Sequence, residues 1–242
     1  KVPTAAELSM NGIHHGTFRH ERGDQTLTSE SGFQGDLSLS FQKPNFSFVI
    51  SPFMSLFQGF IYLAPTAQFS SSLDPDAFPE GGQVFQYRQH DAFFTGGEVS
   101  ADYHPVKDLH LHAAYEYVYN YNFDTRLPLP FTPPPSIFLE ADYHLPLPFS
   151  WLEETRIGTS FKYVQDQNRV DRNERTTPGY QLIGLNIGTT ISVGKFSADL
   201  IIAVQNLIDQ RYFNHLSRYR LLNLPEQGRN VNFSLNIPFA IK

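Results

Sequence analysis

Residues 109–120 read Leu-His-Leu-His-Ala-Ala-Tyr-Glu-Tyr-Val-Tyr-Asn. Leu109, Leu111, Ala113, Tyr115, Tyr117 and Tyr119 share one parity, and His110, His112, Ala114, Glu116, Val118 and Asn120 share the other. Side chains of an extended chain alternate between two faces, so this stretch is a strand with an apolar and a polar side. A helix would scatter the same apolar residues around its circumference. Residues 30–42 repeat the pattern, with Phe33, Leu37, Leu39 and Phe41 against Gln34, Asp36, Ser38, Ser40 and Gln42. Residues 136–145 and the final stretch, carrying Val231, Phe233, Leu235 and Ile237, repeat it again. Further strands are expected near 46–62, 85–103, 153–166, 180–192 and 196–210, about nine altogether.

The connections between these strands come in two kinds. Tight ones fall at Lys43-Pro44-Asn45, His104 to Asp108, Leu145 to Trp151 and Val193-Gly194-Lys195. Long polar ones fall at about 63–84, 122–134, 167–179 and 211–228. Transmembrane β-barrels have this asymmetry, with short periplasmic turns and long extracellular loops, whereas Greek-key sandwiches do not. The expected orientation puts segment 1–29 at the extracellular side and the C-terminus in the periplasm. Nine strands are an odd, open set, and bare strand edges are not tolerated in lipid. The expectation is therefore an incomplete barrel, with 30–239 as wall strands.

Composition agrees. Phe and Tyr number 22 and 12, Cys is absent, and the apolar fraction is 40%. The longest aliphatic run, Leu200 to Val204, is far short of the ~20 residues a spanning helix needs, but barrel strands need apolar residues only at alternate positions. No disulfide or thiolate metal site is available. A net charge of −6 argues against a nucleic-acid partner. The chain opens on Lys1 without an apolar leader, the expected appearance of a mature protein or a piece of a longer one.

Residues 204–239 resemble the C-terminal signature of TonB-dependent receptors at Asn206, Leu207, Asp209, Tyr212, Pro225, Gly228, Arg229, Asn230 and Phe239. The opening is similar to the same family at Pro3, Glu7, Leu8, Asn11, Gly12, His14, Gly16, Thr17, Glu21, Gly23, Leu27 and Glu30. The middle adds Asp91-Ala92, Gly96-Gly97-Glu98 and Asp102-Tyr103-His104-Pro105. Ile208 and Gln210 depart from the usual Phe and Lys. The resemblance implies an all-β, antiparallel transmembrane barrel of about 22 strands with a plugged lumen, of which this chain supplies the C-terminal portion. It implies uptake of a scarce nutrient, such as a siderophore or haem chelate, across the outer membrane. The implied partners are the plug and remaining strands, TonB acting through the plug, membrane lipid and lipopolysaccharide.

No enzymatic constellation is present: the chain has no Gly-x-Ser-x-Gly elbow, phosphate loop or metalloprotease helix. No resident cofactor is expected. His14, His15 and His20 offer imidazoles to a metal or haem, against the plainer reading of a segment that shapes the rim. Arg88, His90, Arg211, Tyr212 and His215 complete the candidate ligand contacts. Glu98, Asp102, His110, His112, Glu116, Glu140, Asp142, His144, Arg156 and Asp199 are expected on the inner wall, facing a plug. Tyr115, Tyr117 and Tyr119 are expected in an outward aromatic girdle. Arg169 to Arg175 is expected to be a solvated loop. The alternative function is a passive pore or adhesin-like barrel built with other chains.

Overall fold

The computed structural model describes residues 1–14, 16–17, 19–73, 82–194 and 196–238. Two short helices, α1 (Ala5–Ser9) and α2 (Ser70–Leu73), accompany twelve strands. Two of these, β1 (Asn11–His14) and β2 (Arg19–Arg22), form a hairpin. The others are β3 (Ser31–Asp36), β4 (Leu39–Lys43), β5 (Phe46–Phe69), β6 (Gln83–Val106), β7 (Leu109–Asn122), β8 (Ser136–His144), β9 (Leu152–Val164), β10 (Tyr180–Val193), β11 (Phe196–Gln205) and β12 (Asn230–Asn236). From β5 to β12 each strand pairs antiparallel with the next, while β3 and β4 both pair with β5. The sheet does not close: among the described residues β12 pairs only with β11.

Counting β3 and β4 as one interrupted strand recovers the nine expected wall strands. The interruption has a simple cause. Register continues through it, from Asp36 opposite Phe53 to Leu39 opposite Ile50, which sets Leu37 against Pro52. The Leu37 amide donates to the Pro52 carbonyl at 3.1 Å, but Pro52 has no N–H to return the bond. One rung is lost and no residue changes face.

Three further differences lie at the long-loop end. Strand β5 continues to Phe69, well into the region expected as loop 63–84, while β6 starts at Gln83, two residues before the expected 85; residues 74–81 lie outside the described set. An inserted residue makes this extension possible: pairing shifts between Phe57 and Phe60, where Gly59 adopts φ 64°, a left-handed conformation open to glycine. Segment 1–29 also has structure that alternation did not reveal. A capping box between Thr4 and Glu7 starts α1, and β2 pairs parallel with β6 through His20 opposite Val84. Finally, β11 stops at Gln205 instead of about 210, because Asn206 and Asp209 turn to positive φ.

The two faces are chemically distinct across the whole sheet. One row runs Leu109, Tyr143, Ile157, Ile187, Ile202, Phe233, each directly opposite the next. The other face carries the row Ser47, Asp102, His112, Glu140, Ser160, Gly184. Apolar residues of the first face are exposed, among them Phe33, Leu37, Leu139, Tyr143 and Phe233. In water so extended an apolar surface would drive association, whereas in hydrocarbon it is the required exterior. Tyr115 and Tyr117 lie exposed on this face as expected, but Tyr119 is covered by the guanidinium of Arg169, 4.0 Å from its ring centre.

Neighbouring positions of one strand therefore predict opposite outcomes. Leu37→Arg should lower stability in lipid by roughly 2–4 kcal/mol if the site lies near the bilayer midplane. Asp36→Asn, on the polar face, should be close to neutral. Folded yield after detergent or vesicle refolding measures both, and equal tolerance would contradict this assignment of faces.

Candidate functional site

The sequence places its longest polar connections at one end of the sheet, and there they converge on a buried carboxylate. Glu174 Oε1 accepts from the Phe131 amide at 2.9 Å, faces His215 Nε2 at 3.1 Å and Arg220 Nη2 at 3.4 Å. Its Oε2 accepts from the Asp171 amide at 3.3 Å. The Glu174 and His215 side chains are 3% and 1% exposed. Phe131, Glu174 and His215 belong to three different connections, so one side chain ties all three together. Asn173 extends the tie to the β5–β6 end, donating to the Pro65 carbonyl and accepting from Gln83. Of the stretch Arg169 to Arg175, expected to be a solvated loop, the three arginines are exposed, whereas Asp171 and the Glu174 carboxylate are buried. A run of mixed charges is usually hydrated, and nothing in its local pattern revealed the distant partners.

Hydrogen-bond order fixes the chemistry of this cluster. Arg220 Nη1 donates to the Arg175 carbonyl at 2.6 Å and to Thr177 Oγ1 at 3.0 Å. The Thr177 hydroxyl then lies 2.8 Å from His215 Nδ1, which also faces Arg220 Nη1 at 3.1 Å. A guanidinium only donates, so Nδ1 is the acceptor. Nε2 lies 3.1 Å from Glu174 Oε1, an ion-pair distance without the alignment of a hydrogen bond. Burial works to raise the Glu174 carboxyl, but the His215 ring beside it and the bonds from Phe131 and Asp171 outweigh it and hold it below its ordinary 4.5. Asp171, buried with fewer compensating donors, is pushed up. Burial also lowers the Arg220 guanidinium.

At the short-turn end, the polar face gathers the expected inner-wall residues. Asp102 Oδ1 accepts from both His110 Nε2, at 3.0 Å, and His112 Nδ1, at 2.9 Å. The second carboxylate oxygen accepts from Ser47 at 3.2 Å. Asp142 lies opposite His110, Glu140 opposite His112, and His144 opposite Arg156. Asp199 takes a bond from Thr190 at 2.9 Å. His104 stacks on His110 with ring centres 4.6 Å apart. A cavity of about 860 Å³ opens over His110, Asp142, His144, Arg156 and Asp199. Glu98 and Glu116 stand directly opposite one another further up the wall. Among the described residues no group of three or more His, Asp or Glu side chains has metal-holding geometry.

The candidate ligand contacts separate into two groups. His20 is 2% exposed, with Nε2 3.1 Å from Asn11 Oδ1, and His215 is buried, with Nδ1 bonded and Nε2 beside Glu174. His90 Nδ1 is held by Tyr62 at 2.8 Å and Asn122 at 3.1 Å. Arg88, Arg211 and His14 are exposed, and Tyr212 packs against Tyr180 with ring centres 4.4 Å apart. The structure does not gather these residues into one pocket. His15 lies outside the described residues, as does Phe239.

The lowered carboxyl of Glu174 has a definite acid signature. A group whose folded pKa lies below 4.5 contributes stability that is present above that value. The contribution is lost as pH falls through the lower folded value. The melting-temperature gap between wild type and Glu174→Gln should therefore be largest near neutrality and close as the pH falls below the ordinary carboxylate range. A gap independent of pH would contradict the ionised state assigned here.

The open, two-faced antiparallel sheet has counterparts among solved structures. It is similar to the copper transporter OprC, 20% identical with a TM-score of 0.77, covering 99% of this chain and 35% of that one. It is also similar to the FrpB iron transporter from Neisseria meningitidis, 15% identical with a TM-score of 0.63, covering 90% and 31%. A third is the siderophore receptor PirA from Acinetobacter baumannii, 17% identical with a TM-score of 0.61, covering 90% and 33%. At these identities the likeness concerns the fold, and the chain spans about a third of the length of each. No curated protein shows a significant match to the sequence. The family described as "TonB dependent receptor-like, beta-barrel" matches residues 1–207, from segment 1–29 through β11. The chain belongs to that family.

Proposed function

We propose that this chain is the C-terminal wall of an outer-membrane receptor that takes up a scarce nutrient, with a metal chelate such as a siderophore or haem as the favoured cargo. The observation that carries the reading is the pairing of an exposed apolar face with a polar inner wall, crowned by interlocked loops, in a barrel of this family. Such a wall separates lipid from a hydrated lumen. Copper, iron and siderophore are named for the three structures above, which favours a metal or metal-chelate cargo over a glycan.

The inner-wall residues then have a structural task. Asp102, His110, His112, Glu140, Asp142, His144, Arg156 and Asp199, with Glu98 and Glu116 further up the wall, would bond a plug. TonB would act through that plug, leaving this chain without an energy-coupling contact of its own. Ligand contact falls to the exposed members of the candidate set, Arg88, Arg211 and His14, with lipid and lipopolysaccharide outside.

Transport by the complete receptor tests the reading. Cells expressing it should accumulate one of a panel of radiolabelled ferric chelates or haem, and lose accumulation when TonB is removed. TonB-independent accumulation, or an open channel in planar bilayers, would instead favour a passive pore.

The free edges generate a second prediction. Among the described residues β3 and β4 pair only with β5, and β12 only with β11. Unsatisfied backbone groups in hydrocarbon cost several kcal/mol each. Expressed alone, the 242 residues should aggregate, and co-expression of the complementary strands and plug should rescue membrane insertion. A monodisperse monomer of the isolated chain in detergent would show that it closes by itself.

A further inference from the structure

We infer that the β1–β2 hairpin and the connections 122–135, 165–179 and 206–229 form a single cap, locked at Glu174, that opens as one unit. The inference concerns conformation alone and is independent of which cargo the receptor takes.

Contact between these segments is concentrated in very few side chains. Phe131, whose amide donates to Glu174, also lies 4.4 Å beneath the guanidinium of Arg19 from β2. Phe85 takes the same guanidinium from another side, at 4.7 Å. Arg220, bonded to Glu174, follows closely after Arg218, whose Nη1 donates to the Gly16 carbonyl at 2.6 Å. Most of the side-chain contacts between the segments therefore pass through Glu174 or a residue that touches a Glu174 partner. Connections 122–135 and 165–179 also meet directly, Gln167 Nε2 donating to the Thr132 carbonyl at 2.8 Å and the Gln165 amide to the Pro135 carbonyl at 3.0 Å.

Burial makes this arrangement cooperative. Withdrawing one connection alone would take a donor from a carboxylate that has almost no contact with water, and breaking a buried charge pair is far more costly than losing an exposed bond. Moving all the segments together exposes the carboxylate to solvent, which replaces the lost donors. The intermediate states, with one loop open and the rest closed, are therefore the least stable. Two states remain, a closed cap and an open one, and local opening of this kind is visible in amide exchange.

Hydrogen exchange of the full receptor in detergent, resolved by mass spectrometry, tests this. In Glu174→Gln, exchange should accelerate about 10-fold or more in 122–135, 165–179 and 206–229 together. Peptides covering β2 should accelerate with them, while β8 to β10 keep their wild-type protection. Acceleration confined to 165–179, or no acceleration anywhere, would overturn the proposal. If Glu174→Gln fails to fold, Arg220→Lys, which keeps the charge but loses the forked geometry, is judged by the same two outcomes.

Discussion

A strand in hydrocarbon has no water to satisfy its backbone, so each N–H and C=O must find its partner on a neighbouring strand. Much of this molecule follows from that constraint. It demands long strands in unbroken antiparallel order, and β5 to β12 supply them. It frees side chains from holding the wall together and lets each face take the chemistry of its surroundings. Hence the apolar row from Leu109 to Phe233 and the polar row from Ser47 to Gly184 lie three residues apart along each shared strand, on opposite faces. Where the constraint is locally broken, at Pro52, the defect is confined to one rung facing the edge strand.

The wall was legible in the sequence because its signal is periodic and local. Parity alone assigned Asp102, His110, His112, Glu140, Asp142 and His144 to one face, and the structure brings Asp102, His110 and His112 into direct contact. Their plug-facing role remains a proposal. The nine strands were visible for the same reason, and the break at Pro52 was not, since alternation runs through it unchanged. The top of β5, residues 63–69, was missed because the Gly59 bulge shifts the phase of the alternation shortly before it, whereas β6 begins within two residues of the expected 85.

The cap was not legible, and the reason is physical. Glu174 gains its partners from Phe131, 43 positions earlier, and Arg220, 46 positions later. Polar residues in irregular connections have no period, and a carboxylate that will be buried looks the same in sequence as one that will be hydrated. Family resemblance pointed towards the rim through His14, Gly16 and Glu21 without revealing what they touch. Arg218 reaching Gly16, 202 positions away, shows how far such information lies from any window along the chain.

The parallel pairing of β2 with β6 has a consequence for life in a crowded membrane. β6 pairs with β7 only from Ala92 onward, so its earlier residues stand above the neighbouring strand with backbone groups facing outward. A protruding strand edge is a template on which another copy could build. By laying His20, Glu21 and Arg22 beside Val84, Phe85 and Gln86, the hairpin occupies that template from within the same chain. Three rungs thus close, within one chain and whenever the cap is shut, an edge that the wall strands below close by pairing with one another.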